Sequence, residues 1–366
     1  MSFSEVARKV RAGEALSAAE GVLLYRHPNL VELGALANEM RERLHQDRVY
    51  FNRNLHINPT NVCVAQCKLC SFSRRAPDAE GAFVLRVDEA VARLQASLLA
   101  GDAPTEVHLV GGLHEGLPFS YFVELLSALK AAAPGICLKA FSAVEIFFFH
   151  RLYKLSIEEI LRRLQGAGLA SLPGGGAEIL SSRVRKAICP NKCGAEEWIE
   201  VHRTAHRLGV KSNCTMMFGT VETVEERVQH LLRLRDLQAE TGGFLAFIPL
   251  PFHPENNALF DRPAPTAAEV LRTFAVARLV LSNVANIKAY WVSLGLDTAQ
   301  MALWFGADDL DGTVSEEKIY HLAGARSPQS LTPAEMARII RTAGRVPVER
   351  DTLYRALAPR PQQEAV

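Results

Sequence analysis

An α/β chain folded as a (β/α)8 barrel of the TIM type, with an N-terminal helical extension and C-terminal helices, is the architecture the sequence predicts. Strand then helix, repeated about eight times over roughly 260 residues, is the length and rhythm of such a barrel. Several candidate strands are apolar on successive residues, as expected of parallel strands covered on both faces. The polar and glycine-rich segments "NPTNVC", "GGLHE", "SLPGGGAE" and "FHPEN" fall at strand ends, where barrel enzymes build their sites. A doubly wound open sheet is the competing arrangement, but neither GxGxxG nor GxxxxGK[ST] follows the first strand.

Residues 1–50 read as helices packed beside the barrel, and residues 51–366 as the barrel with its C-terminal helices. Strands are expected at 55–59, 106–110, 137–141, 169–172, 210–217, 244–249 and 287–292, with a further candidate at 302–305. Helix starts are marked by Ser/Thr-x-x-Glu at Ser17/Glu20, Ser156/Glu159, Thr223/Glu226, Thr266/Glu269 and Thr332/Glu335. In each, the hydroxyl and the carboxylate can satisfy free N–H groups of the first turn. Pro333 follows Thr332 at the first helical position, where its missing N–H costs nothing.

Composition excludes several function classes. With 48% hydrophobic and 22% charged residues, a net charge of +1 and no long run of like charge, the chain has a sizeable core and no electrostatic footprint for nucleic acid or an anionic membrane. Charges interrupt the apolar residues of "MSFSEVARKVRAGEALSAAEG", so it does not read as a signal peptide. The most apolar stretch, "GGFLAFIPLPF", is too short to span a bilayer. Seven cysteines, an odd number and partly clustered, argue against a secreted disulfide framework; a reduced, cytoplasmic protein is expected.

The cluster is "CVAQCKLC", which sets Cys63, Cys67 and Cys70 at spacings of four and three in the loop after the first strand. Three readings compete. The thiols could be buried structural groups. They could hold zinc, but a closed zinc site takes four ligands, and the one near candidate, His56, lies within the proposed strand. They could hold a 4Fe-4S cluster, leaving one iron without a protein ligand, and an open coordination position marks a site where substrate meets metal. Two glycine-rich segments accompany it. Gly111 and Gly112 end the second strand, and paired glycines permit close backbone approach, although a simple turn is the commoner use. In "SLPGGGAEIL" the glycines make a turn, and Glu178 beyond it could accept from ribose hydroxyls.

CxxxCxxC after a first barrel strand resembles the radical S-adenosylmethionine (radical SAM) superfamily. The resemblance implies a 4Fe-4S cluster on Cys63, Cys67 and Cys70 whose open iron chelates S-adenosylmethionine, Gly111 and Gly112 at the amino group of S-adenosylmethionine, and Lys192 near its carboxylate. It also implies a flavodoxin- or ferredoxin-type electron donor. Leu69 departs from the aromatic residue usual before the third cysteine. Beyond the cluster, "NLHINPTNVC", "EVHLVGGLH", "LKAFSAVEI", "FIPLPFHPEN" and "FGADDLDGTVSEEK" resemble the aminofutalosine synthase family of the futalosine route to menaquinone. Val110 stands where the cyclic dehypoxanthinyl futalosine synthases and the deazaflavin-cofactor synthases tend to carry Gln, and those two families are the alternatives. The resemblance implies a transferase that joins the adenosyl group to 3-[(1-carboxyvinyl)oxy]benzoate. Two substrate carboxylates call for cations, and Arg74, Lys139, His253 and Lys288, near strand C-terminal ends, are the candidates.

Other patterns carry less. His202 and His206 are four apart on a helix but lack a Glu directly after His202. Counting back from Gly312 places Ala307 and Lys318 at the ends of a would-be calcium loop, where neither could serve as a ligand. Cys137, Cys189, Cys193 and Cys214 come from separate elements and read as single buried thiols.

Overall fold

The computed structural model describes residues 1–101 and 103–358. Among the described residues there are ten strands: β1 (Arg48–Asn52), β2 (Asn54–Ile57), β3 (Glu106–Leu109), β4 (Cys137–Ala140), β5 (Leu169–Leu172), β6 (Lys211–Phe218), β7 (Phe244–Pro251), β8 (Asn286–Ile287), β9 (Asp309–Gly312) and β10 (Val346–Glu349). β2 to β8 form one parallel sheet in sequence order, with helices between successive strands. β9 stands in the eighth position: Asp309 bridges Lys288, and Ser315 just beyond it bridges Leu55 of β2. Two backbone bonds close each side of the seam: Asp308 N to Ile287 O at 3.0 Å and Ala289 N to Asp309 O at 2.7 Å toward β8, and Ser315 N to Asn54 O at 3.2 Å and His56 N to Ser315 O at 2.9 Å toward β2. The sheet therefore curls into a TIM-type barrel whose last staves meet through bridges rather than a full ladder.

Two expectations about strands need correction. Residues 302–305 are no strand: helix Leu296–Ala302 ends there in a turn, with Trp304 N on Met301 O and Phe305 N on Ala302 O. A four-residue apolar run cannot distinguish a buried strand from a buried helix end, and here the helix prevails. The true eighth element is β9, "DLDG", whose acids disguise it. The strand expected at 287–292 is only Asn286–Ile287, since Trp291–Leu294 is helical. β1 and β10 were not foreseen either. They flank β9's outer edge as a second parallel sheet in the order β10-β1-β9.

Every Ser/Thr-x-x-Glu signal begins a helix. At Ser17, Thr223 and Thr332 both reciprocal bonds form. At Ser156 and Thr266 only the hydroxyl acts as a cap, and Glu269 instead pairs with Arg227 at 2.7 Å. Two further boxes, Ser2/Glu5 and Ser142/Glu145, belong to the same class. Helix Phe3–Arg11 lies against both Ala18–Arg26 and Leu30–His45; Ala18–Arg26 packs on barrel helices Val224–Thr241 and Ala267–Val280, and Leu30–His45 packs on Ala267–Val280. No helix of the described residues is long and apolar enough to cross a membrane.

Candidate active site

The loop after β2 is stitched by its own sequence. In "NPTN", Asn58 Nδ2 donates to Val110 O (2.8 Å), Thr60 Oγ1 to Phe83 O (2.7 Å) and Asn61 Nδ2 to Gly81 O (2.9 Å). Arg74 adds further staples, its guanidinium donating to the carbonyls of Glu80, Ser71, Phe72 and Ser73. These bonds hold the segment carrying Cys63, Cys67 and Cys70 over the barrel mouth, and all three thiols line one cavity of about 290 Å³. The end of β3 presses on the same loop. Gly112 N donates to Thr60 O at 2.7 Å, and a Cβ on Gly112 would stand 2.1 Å from Val62 O. Only glycine fits there, so the pair's first task is to let the strand end approach the cysteine loop. Gly174, in the second glycine-rich turn, is equally confined, since a Cβ would lie 2.7 Å from Cys214 Cα.

Glu178 and Lys192 meet on the cavity wall as a buried ion pair. Burial pushes the Glu178 carboxyl up, but the Lys192 ammonium outweighs it and holds the group below its usual value. Glu178 also takes a positive φ of 45°, a conformation that costs a non-glycine residue energy and tends to cluster at functional sites. The Cys67 thiol is pushed up to about 12 by burial, against the pull of Lys192. Cys189 stands near enough to Cys67 to add to that rise but does not line the cavity.

The four cations expected to receive substrate carboxylates lie elsewhere. None of Arg74, Lys139, His253 and Lys288 lines the cavity. Lys139 Nζ is 2.7 Å from Glu106, Lys288 Nζ is 2.6 Å from Asp311, and His253 Nε2 is 2.8 Å from Ser293 O. In contrast, sequence reasoning overlooked His56, His108, Glu145 and Tyr320 as lining groups. Glu145 had a readable signal, the Ser142 box. Its carboxylate accepts from Ser142 N and Oγ at 2.7 Å each and from Gly111 N at 3.0 Å. Burial nevertheless raises it to about 7, against those hydrogen bonds. His202 and His206 both bond Ser212 Oγ at 2.8 Å, which accounts for their spacing without a metal.

Three thiols, backbone polar groups and an ion pair thus line one cavity, a donor set of the kind a 4Fe-4S cluster takes. Residues 57–234 match the Radical SAM superfamily, and residues 241–363 match the CofH/MqnC C-terminal region. A crystal structure of a methylornithine synthase superposes with a TM-score of 0.74, at 18% identity, over 93% of this chain and 97% of that one. At that identity the likeness speaks for the fold alone. The aminodeoxyfutalosine synthase of Thermus thermophilus is 47% identical over 96% of this chain and 94% of its own. The cyclic dehypoxanthine futalosine synthase of Streptomyces coelicolor is 39% identical over 95% of this chain and 87% of its own. The chain belongs to the radical SAM superfamily and, within it, to the aminodeoxyfutalosine synthase family.

Proposed function

We propose that this enzyme joins the 5′-deoxyadenosyl group of S-adenosylmethionine to the enol-ether carbon of 3-[(1-carboxyvinyl)oxy]benzoate, giving aminodeoxyfutalosine and methionine with the carboxyl carbon leaving as bicarbonate or CO₂. The observation that carries the reading is the convergence of Cys63, Cys67 and Cys70 on one cavity with no fourth thiol among its described lining residues. That donor set suits a 4Fe-4S cluster with one open iron. When bound and reduced by a flavodoxin- or ferredoxin-type donor, such a cluster would supply the electron that splits the sulfonium and would take one back as the closed-shell product forms.

The chain's own residues do the rest. The glycine pair brings the end of β3 against the cysteine loop, and Lys192 and Glu178 offer opposite charges to the amino acid and ribose parts of S-adenosylmethionine. Both the amino acid and ribose assignments follow from the family resemblance and from the position of these groups on the cavity wall. Apolar lining from Leu113, Val144, Ile248 and Leu250 excludes water and leaves few polar routes for side reactions. Positioning then decides whether the adenosyl carbon meets the double bond or a C–H bond. Anaerobic turnover of the reconstituted enzyme with S-adenosylmethionine and the enolpyruvyl benzoate, followed by mass spectrometry, tests the reading. Aminodeoxyfutalosine and methionine in equal amounts support it, and methionine without the adduct refutes it.

A further inference from the structure

Two imidazoles face the cavity from adjacent strands. The parallel register sets His56 of β2 beside His108 of β3, and His108 beside Lys139 of β4, in one layer of the barrel. The rings of His56 and His108 stack with centroids 4.7 Å apart and planes 8° from parallel. His56 Nε2 is buried without a hydrogen-bond partner, and His108 Nδ1 stands 3.9 Å from Glu106, beyond hydrogen-bond reach. Buried polar atoms almost always have a partner, so an orphaned ring nitrogen beside a cavity marks a place for a ligand.

The charges around the pair show which ligand. Lys139 is held by Glu106, Lys288 by Asp311, and Lys192 by Glu178. Glu317 accepts from the N–H groups of Ile319 and Tyr320 and pairs with His321. Among the described residues lining the cavity Lys192 is the one lysine or arginine, and its place beside Glu178 is taken by S-adenosylmethionine in the reading above, so none is left for a carboxylate of the substrate. The imidazoles are the groups that can become cationic there. Burial lowers both, each with help from Lys139 and His108 with help from His56. Glu106 and Asp311 pull both rings the other way, as Glu317 does for His56. Both rings are therefore neutral near neutral pH, and an arriving carboxylate would favour protonation of one of them.

We propose that the stacked His56–His108 pair is the subsite for a carboxylate of the substrate, and that it takes up a proton as that carboxylate binds. The proposal rests on the functional reading above, in which the substrate is an aromatic dicarboxylate, and deepens it by naming the groups that receive one end.

Calorimetric titration of the enolpyruvyl benzoate into holoenzyme loaded with S-adenosylmethionine, without reductant and in two buffers of different protonation enthalpy, tests it. Uptake of about one proton per site is expected. His56→Gln and His108→Gln should each weaken binding roughly tenfold or more, the loss of a hydrogen bond to a charged group, with cluster iron and S-adenosylmethionine affinity retained. Binding unchanged in both variants overturns the subsite. Glu145 is the other group poised to take up a proton, so uptake kept in both histidine variants and lost in Glu145→Gln overturns it as well. If the variants fail to load the cluster, the wild-type proton count stands alone, and zero uptake is contrary to the proposal. Failure of the wild type to bind the compound while still binding S-adenosylmethionine removes the functional reading, and the subsite with it.

Discussion

Glu145 shows how one side chain can serve as cap, strut and cavity wall at once. It closes the first turn of helix Ala143–Tyr153, accepts from Gly111 N, and carries a carboxyl raised to about 7 by burial. A carboxyl raised on folding binds its proton more tightly in the native state than in the unfolded one. Its contribution to stability is therefore fully present below 4.5 and is lost as pH climbs from about 4.5 to 7. Thermal unfolding of Glu145→Gln across that interval should show a shallower decline than the wild type, because Gln keeps the cap without titrating. Parallel curves would show that Glu145 ionises normally. The thiols make a second test: Cys67→Ala should lose the cluster, whereas Cys189→Ala should keep its iron and sulfide even though Cys189 lies near Cys67. A full 4Fe-4S complement in Cys67→Ala contradicts the three-thiolate site. At this scale the three cysteines, the glycine pair and Glu178 could be singled out by spacing and residue type, and all six line the cavity. His56 and His108 escaped although "NLHI" and "EVHL" alternate polar and apolar residues and so set each histidine on one face with Asn54 or Glu106, because alternation alone does not tell which face points into the barrel.

At the scale of elements, most of the molecule was legible because the signals are local. Every Ser/Thr-x-x-Glu box that was singled out starts a helix, and six of the eight expected strands fall within a few residues of their places. The misreadings share a cause. β9 is short and acidic, and it is a strand because tertiary partners satisfy it: Arg350 pairs with Asp309 at 2.6 Å, Lys288 with Asp311, and Arg278 with Asp308. No local rule reports partners 23 to 41 positions away. Arg350→Met should accordingly cost about 3–5 kcal/mol in denaturant unfolding, because it strands a buried carboxylate. A change within experimental error would mean that β9 is held by its backbone bonds alone. The strand-end glycine makes the matching prediction for a loop. Gly112→Ala must displace the carbonyl of Val62, so a loss of about 2 kcal/mol or more is expected together with poor cluster loading. Normal stability and iron content would contradict the close approach.

For the molecule as a whole, strand–helix rhythm and strand-end chemistry were enough to read the barrel, while its closure was not, because the seam is made by segments distant in sequence. The same closure builds the far side of the cavity, where Asp311, Glu317 and Tyr320 follow from β9 and its exit loop. Under the proposed function, this enclosed space directs the adenosyl carbon onto the substrate's double bond rather than onto a hydrogen. Alignment within such a pocket can be worth many orders of magnitude in rate, so the two fates should separate cleanly. The most direct measurement follows S-adenosylmethionine labelled in its adenosyl carbon through a single turnover with the enolpyruvyl benzoate bound. The label is expected in aminodeoxyfutalosine, with free 5′-deoxyadenosine a minor side product. Label found chiefly in free 5′-deoxyadenosine would contradict the proposed function and show that the radical abstracts hydrogen instead of adding to the substrate.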